Sequence, residues 1–310
     1  MTNLKIVVAD AFTDMVVEKS ILAPLRADIV VEHCRPDDDI GALAQDADAL
    51  IVHWVLITRE VIERLTRCRI IARYGVGLEN IDVAAARERG ICVANVPDYC
   101  TDEVASQTLC YLLALGKRVF LSERLMRQGR WEVDDLIGPV RRFQKQTLGL
   151  IGLGRIGRRV AQLAAPLGMR IVGYDIQPPK DPGPVTLASF ETVVRESDYL
   201  SVHCPLLEET RHLINAATFG MMKRTSFLIN VARGGVIDTL ALIGALTSKQ
   251  IAGAALDVFE EEPLPLEHPL RKMDNVILTP HTAAYSLDAL REIREGVARN
   301  VLDHFQRRSV

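Results

Sequence analysis

One hexapeptide narrows the choice of fold more than any other stretch of this chain. Gly152-Leu153-Gly154-Arg155-Ile156-Gly157 is a G-x-G-x-x-G run that follows the apolar segment LGLI and opens the helical pattern RIGRRVAQLAAPLG. In that setting the first glycine permits a tight turn, the second lets backbone approach a pyrophosphate, and the third lets the helix pack closely on the strand. The helix N-terminus then offers free N–H groups to phosphate oxygens. The next apolar run, IVGYD, ends in Asp175, at the expected spacing of roughly 20 positions for the carboxylate that bonds the adenosine ribose hydroxyls. An acid there repels a 2′-phosphate, and Ile176 and Gln177 bring no arginine to receive one. The pattern predicts NAD rather than NADP.

Around this motif, short β-rich apolar runs alternate with segments of helical spacing from end to end. The first series is LKIVVA, DIVVE, ALIVH, RIIAR and ICVAN; the second is TLGLIG, MRIVGYD, DYLSVHC, SFLIN, GAALDVF and NVILTP. Such alternation predicts an α/β protein with parallel sheets. Six strands in the second series are the count of a complete dinucleotide-binding fold. A long helical pattern from Asp102 separates the two series, and another, from Ser286, follows the second. We therefore expect a discontinuous substrate-binding domain, residues 1–98 plus 286–310, interrupted by an NAD-binding domain, residues 99–285.

Composition excludes several classes. With 310 residues, 48% of them hydrophobic and 25% charged, the chain has ordinary globular make-up and room for two domains. A formal net charge of −3 argues against nucleic acid as a direct ligand. No apolar stretch has the length of a transmembrane helix, and the N-terminal residues lack the pattern of a signal peptide. The six cysteines are scattered without a C-x-x-C pair. That predicts a reduced, cytoplasmic protein with no structural metal site.

In a doubly wound fold, ligands bind at the carboxyl ends of the strands. After SFLIN comes Arg233 with two glycines behind it; after GAALDVF come Glu260, Glu261 and Glu262; after NVILTP comes His281. An arginine, a carboxylate and a histidine thus fall on three loops at one edge of one sheet. A guanidinium can grip a carboxylate and the adjacent oxygen by paired bonds. A histidine can take a hydroxyl proton as hydride leaves the carbon, and a carboxylate behind it can fix the tautomer. This set suits oxidation of a small 2-hydroxy acid, or reduction of a 2-oxo acid.

The chain resembles the D-isomer-specific 2-hydroxyacid dehydrogenases, whose members include phosphoglycerate, glycerate, D-lactate and formate dehydrogenases and the C-terminal binding protein corepressors. The resemblance runs nearly end to end, through RYGVGLENIDVAAARERGICVANVP, LGLIGLGRIGRRVA, NVARGGVID, AGAALDVFEEEP and NVILTPHTA. It implies a flavodoxin-like substrate domain, a Rossmann NAD domain, an active-site cleft between them, and a homodimer through the NAD domains in which residues 102–142 wrap the partner. It assigns Arg233 to substrate binding, His281 to acid–base work and Glu262 to partnering His281, which leaves Glu260 and Glu261 as solvated loop charges. Gly152, Gly154, Arg155, Ile156, Gly157, Asp175, Cys204, Ala232 and Asp257 match positions that touch NAD, with Arg233 and His281 beside the nicotinamide. The backbone of Val76 and Gly77 would receive the substrate carboxylate, and His53 and Trp54 would line the substrate pocket. Where phosphoglycerate dehydrogenases carry an arginine-serine pair, this chain has His53 and Trp54, which weakens that substrate assignment. Where the corepressors carry a tryptophan, it has Ala284. An NAD(H)-sensing interaction protein is the alternative that the corepressor likeness keeps open.

Overall fold

The computed structural model of the chain describes residues 3–10, 14–35, 38–131 and 134–307. They form two compact units, Met1–Cys100 with Ser286–Val310, and Thr101–Tyr285.

The first unit is built on five strands: β1 (Lys5–Val8), β2 (Asp28–Val31), β3 (Ala49–Val52), β4 (Ile70–Arg73) and β5 (Cys92–Ala94). All pair in parallel, in the order β2-β1-β3-β4-β5. This is the flavodoxin-like order, which reverses direction between β1 and β3. Side chains alternate across each strand. Ile6 and Val8 therefore face one layer while Val7 faces the other. The layer over Ile6 and Val8 is closed by the helix Leu287–Arg307, whose Ile293, Val297, Val301 and Phe305 recur every fourth residue and make one buried stripe.

A buried ion pair fixes this layer. Glu18, on the helix Val16–Leu22, is 0% exposed and accepts hydrogen bonds from Arg294 Nε (2.9 Å), Arg294 Nη2 (2.8 Å) and the Tyr74 hydroxyl (3.0 Å). With the Glu18 carboxylate met by three donors, removing Arg294 strands a buried charge, whereas Arg294 has a second carboxylate in Asp14, 2.6 Å from its Nη2.

The second unit carries β6 (Thr147–Ile151), β7 (Arg170–Tyr174), β8 (Thr186–Leu187), β9 (Tyr199–Val202), β10 (Phe227–Asn230), β11 (Gly253–Leu256) and β12 (Val276–Leu278). They form one parallel sheet in the order β12-β11-β10-β9-β6-β7-β8. The sequence predicts six strands here and there are seven. β8 escapes notice because it is two exposed residues long, with no apolar run to mark it. The chain winds outward from β6 to β8, returns to β9, and winds the other way. The switch point therefore lies between β6 and β9, at whose carboxyl ends the glycine loop and His203-Cys204 emerge. The helix Thr101–Lys117 packs against the helix Arg155–Ala164 that follows the glycine loop. Among the described residues no helix is long and apolar enough to cross a membrane, and no cluster of side chains could hold a metal ion.

Candidate active site

The glycine loop has the shape its sequence requires. Gly152 sits at φ +96, and a Cβ there would lie 2.6 Å from the backbone nitrogen of Cys204. A Cβ on Gly157 would lie 2.1 Å from the carbonyl oxygen of Gly152, so the helix can approach the strand only without one. Gly154, the helix N-cap, is different: a Cβ there would meet nothing within 4 Å. The open space in front of a helix N-terminus is one that could hold a phosphate group. Asp175, just beyond β7, reaches back to this loop. Its Oδ2 accepts from the Leu153 N–H at 2.7 Å and its Oδ1 from the Gln177 N–H at 2.8 Å. The acid thus braces the turn.

Beyond β9, His203 is half-buried and its Nε2 pairs with the Ser201 hydroxyl at 2.8 Å. Burial pushes its pKa down to about 3, so the ring stays neutral beneath the turn. Burial pushes the neighbouring Cys204 thiol up to about 11, which makes it inert rather than nucleophilic.

The loop after β10 is shaped by Asn230. Its Oδ1 accepts from Ala232 N and its Nδ2 donates to Arg233 O, both at 3.0 Å, while Arg233 Nη1 donates to Ala232 O at 2.7 Å. Gly234 lets this loop lie against the next one. A Cβ on Gly234 would fall 1.9 Å from the carbonyl carbon of Phe259. Gly234 therefore serves loop-to-loop packing directly, whereas a Cβ on Gly235 would meet the Leu206 side chain at 3.0 Å.

Asp257, at the end of β11, is 1% exposed. Its Oδ1 accepts from Thr282 N (2.9 Å) and from the Thr279 hydroxyl, its Oδ2 from Ala283 N (2.8 Å), and its backbone carbonyl from His281 N (2.8 Å). The Thr279 hydroxyl also pairs with the Tyr111 hydroxyl. One buried carboxylate thus organises the whole turn that carries His281, and the turn holds His281 at φ +54. Left-handed backbone is costly for a residue with a side chain and persists where surrounding contacts over-determine it.

His281 Nδ1 meets Glu262 Oε2 at 2.6 Å, and the other carboxylate oxygen accepts from Phe259 N at 2.8 Å. Burial pulls the Glu262 pKa up, but the His281 bond, the Phe259 N–H and the charges of His281 and Arg233 outweigh it and hold the carboxyl below its ordinary value of 4.5. The arginine, glutamate and histidine loops thus share one sheet edge, with Glu262 bonded to His281 and within the field of Arg233.

Glu260 departs from the sequence expectation. It is a clamp rather than a solvated loop charge: His212 Nε2 meets its Oε1 at 2.6 Å and Thr239 N donates to its Oε2 at 2.9 Å. Glu261 is exposed.

In the first unit, His53 and Trp54 follow β3, and Val76 and Gly77 follow β4. Asn95 Nδ2 donates to Val76 O at 2.5 Å, and the rings of His53 and Trp54 lie 4.6 Å apart. Asn230, Glu260, His212, Thr279 and Tyr111 are contributors that sequence reasoning missed. Only Asn230 carried a local signal, as the polar end of an otherwise apolar strand.

The sequence profile described as "D-isomer specific 2-hydroxyacid dehydrogenase, NAD binding domain" matches residues 109–283. This chain belongs to the D-isomer-specific 2-hydroxyacid dehydrogenases. It is similar to a glyoxylate reductase of Thermofilum pendens, 38% identical over 297 residues that cover 93% of this chain and 84% of that one. It is also similar to a hydroxypyruvate reductase of Thermotoga maritima, 38% identical over 270 residues covering 86% and 87%. Among solved structures, a D-lactate dehydrogenase from Aquifex aeolicus complexed with NAD and lactic acid superposes with a TM-score of 0.89 at 29% identity, covering 97% of this chain and 95% of that one. As a member of this dehydrogenase family the protein is an NAD-dependent enzyme, and the crowded Gly152 and Gly157 beside the open Gly154 fit that cofactor.

Proposed function

We propose that this dehydrogenase interconverts a small 2-oxo acid and its D-2-hydroxy acid, with Arg233 gripping the substrate, His281 exchanging the proton and Glu262 holding His281 in register. The observation that carries the reading is the 2.6 Å bond between Glu262 and His281 Nδ1 on the sheet edge that also carries the glycine loop. With Nδ1 committed to Glu262, Nε2 is the ring nitrogen that serves the substrate oxygen. NADH, when bound, would supply the hydride for C2 of the acid. The oxygen then takes its proton from His281, and Glu262 stabilises the charged ring before that step. Arg233 binds the acid's carboxylate and 2-oxygen through its planar fork. The N–H groups of Arg155 and Ile156 would hold the pyrophosphate, and Asp175 the ribose. Cys204, Ala232 and Asp257 line the nicotinamide half. Val76 and Gly77 offer backbone N–H groups to the acid, and His53 and Trp54 meet its substituent.

The test is NADH oxidation by the purified chain against glyoxylate, hydroxypyruvate, pyruvate and bulkier 2-oxo acids. Turnover with at least one is expected. Tight NADH binding with no turnover of any acid overturns the reading and favours an NAD(H)-sensing interaction protein.

We further propose a homodimer through the second unit. The helix Val119–Arg127 buries none of its residues, and Phe120, Met126 and Trp131 stand exposed, Trp131 at 82%. Apolar surface of that kind commonly marks an interface. Residues 132 and 133 of the expected wrapping segment lie outside the described residues. Sedimentation of the chain at micromolar concentration decides the point, a monomer sinking it.

A further inference from the structure

One phenol in the helix Thr101–Lys117 carries a hydroxyl that packing alone does not need. Tyr111 is 2% exposed and flanked in sequence by Leu109, Cys110, Leu112 and Leu113. A phenylalanine would fill nearly the same volume, and burying the extra oxygen costs free energy unless a partner meets it. The partner is Thr279, 168 positions along the chain, whose hydroxyl pairs with that of Tyr111. The Gln107 side chain, one turn earlier on the helix, reaches the same hydroxyl.

Sheet register explains the meeting. β11 and β12 pair in parallel with Leu256 opposite Leu278. Just beyond that pair, Asp257 and Thr279 stand side by side, with the Thr279 N–H donating to Leu256 O at 3.0 Å. The helix Thr101–Lys117 packs over β10 and β11, which brings Tyr111 to that point. The Thr279 hydroxyl touches two groups at once, the Tyr111 hydroxyl and Asp257 Oδ1. The polarity of this chain follows from its parts. A carboxylate only accepts, so Thr279 spends its single hydroxyl proton on Asp257 and has only lone pairs left for Tyr111. Tyr111 must then donate. Burial above all, with the Asp257 charge nearby, holds the Tyr111 pKa above its ordinary 10.0, so the phenol has a proton to give.

The far end of the chain is His281. Its backbone N–H donates to Asp257 O at 2.8 Å and to Thr279 O at 3.1 Å. Tyr111 thus steadies both residues that grip His281, Thr279 directly and Asp257 through it. The left-handed backbone of His281, at φ +54, needs such restraint.

We propose that Tyr111 is a positioning residue for His281: its hydroxyl orients Thr279 toward Asp257, and the three together keep the left-handed turn that sets the imidazole against Glu262. This rests on the reading of His281 as the acid–base group. Chains of hydrogen bonds polarise one another, so loss of the outermost donor is felt at the carboxylate.

The experiment compares Tyr111→Phe, Thr279→Val, Thr279→Ser and the Tyr111→Phe/Thr279→Val pair in the full chain, with NADH and glyoxylate or hydroxypyruvate. Tyr111→Phe removes one oxygen and should lower kcat by about two- to tenfold, the range of one net hydrogen bond, while KM for the acid holds. Thr279→Val also takes a donor from a charged group and should cost about 10- to 100-fold in kcat. Thr279→Ser restores the hydroxyl and should recover most of that loss. The pair should lose no more than Thr279→Val alone, because both changes cut one chain. A lowered Tm with kcat unchanged in Tyr111→Phe, or losses that add in the pair, overturns the proposal. The tyrosine would then only satisfy a buried oxygen.

A second readout needs no turnover. Proton NMR follows the Nδ1 proton of His281, which the 2.6 Å bond to Glu262 shifts downfield and which is identified by its loss in His281→Ala. Its exchange with water should quicken severalfold in Tyr111→Phe and further in Thr279→Val. Quickened exchange without turnover of any acid would keep the tie and discard the acid–base reading. Exchange indifferent to Tyr111 removes the tie itself.

Discussion

Two glutamate–histidine pairs leave the same loop and look alike. Glu262 meets His281 and Glu260 meets His212, each at 2.6 Å. Both histidines sit in left-handed backbone, at φ +54 and φ +52. Each glutamate spends its other oxygen on a backbone N–H, of Phe259 and of Thr239 respectively. The surroundings differ. His281 rides the turn organised by buried Asp257, and its partner feels the charge of Arg233. The other pair ties the loop to Thr239, at the head of the helix Thr239–Thr247, and to His212, whose N–H donates to Gly235 O at 2.9 Å. One pair faces the proposed chemistry and the other steadies the loop that delivers it. A short Glu–His contact is therefore no signature of catalysis by itself; its neighbours decide.

The largest effect should separate the pairs outright. His281→Ala is expected to lower kcat by about 10²- to 10⁴-fold, the usual contribution of a positioned acid–base group, with NADH affinity little changed. His212→Ala should cost far less, and equal losses in steady-state kinetics would erase the distinction. Next comes Glu262→Gln. A hydrogen bond to a charged group is worth about 1.5–3 kcal/mol, so a loss of about 10- to 100-fold in kcat is expected. The alkaline limb of the reductive pH–rate profile should also move to lower pH, since the charged ring loses its anion. An unmoved limb removes Glu262 as partner.

Gly234→Ala comes third and touches both loops. Its Cβ would fall 1.9 Å from Phe259 backbone, which cannot swing aside like a side chain. A loss of about 1–3 kcal/mol is expected by denaturant unfolding, together with a raised substrate KM. Unchanged stability would mean that the two loops do not pack as described.

The smallest effect belongs to Glu260→Gln. Burial pulls the Glu260 pKa up, but the bonds from Thr239 and His212 outweigh it and hold it below the ordinary 4.5. A carboxyl with a depressed folded pKa stabilises above its unfolded value, and that contribution fades as pH falls through the lowered one. The difference in Tm between the unaltered chain and Glu260→Gln should thus be full near neutrality and shrink below about pH 4.5. A difference that grows with acidity would reverse the assignment.

Much of this molecule was legible in the sequence because it is local. The glycine hexapeptide, the apolar strands and the stripe Ile293, Val297, Val301, Phe305 each declare themselves within a few residues. The proposed catalytic residues were legible as loop residues after late strands, and family likeness selected Glu262 from three adjacent acids. What stayed hidden depends on partners distant along the chain. Asp10 reaches segments 43 to 45 positions away, Glu260 and His212 are 48 apart, and Tyr111 meets Thr279 across 168. No periodicity encodes such contacts. They exist only once parallel strands have brought the carboxyl ends together.

The tie between Glu18 and Arg294 has a bearing on the order in which this protein can be made. The two residues are 276 positions apart, so a ribosome completes the whole NAD-binding unit before the second partner exists. Until the segment Leu287–Arg307 emerges, the helix Val16–Leu22 covers Ile6, Val8 and Tyr74 only in part, and Glu18 is a charge awaiting its cation. Residues synthesised before the inserted unit are thus among the last to find their final packing. Vectorial synthesis thus makes the inserted unit the earlier to mature and its host the later.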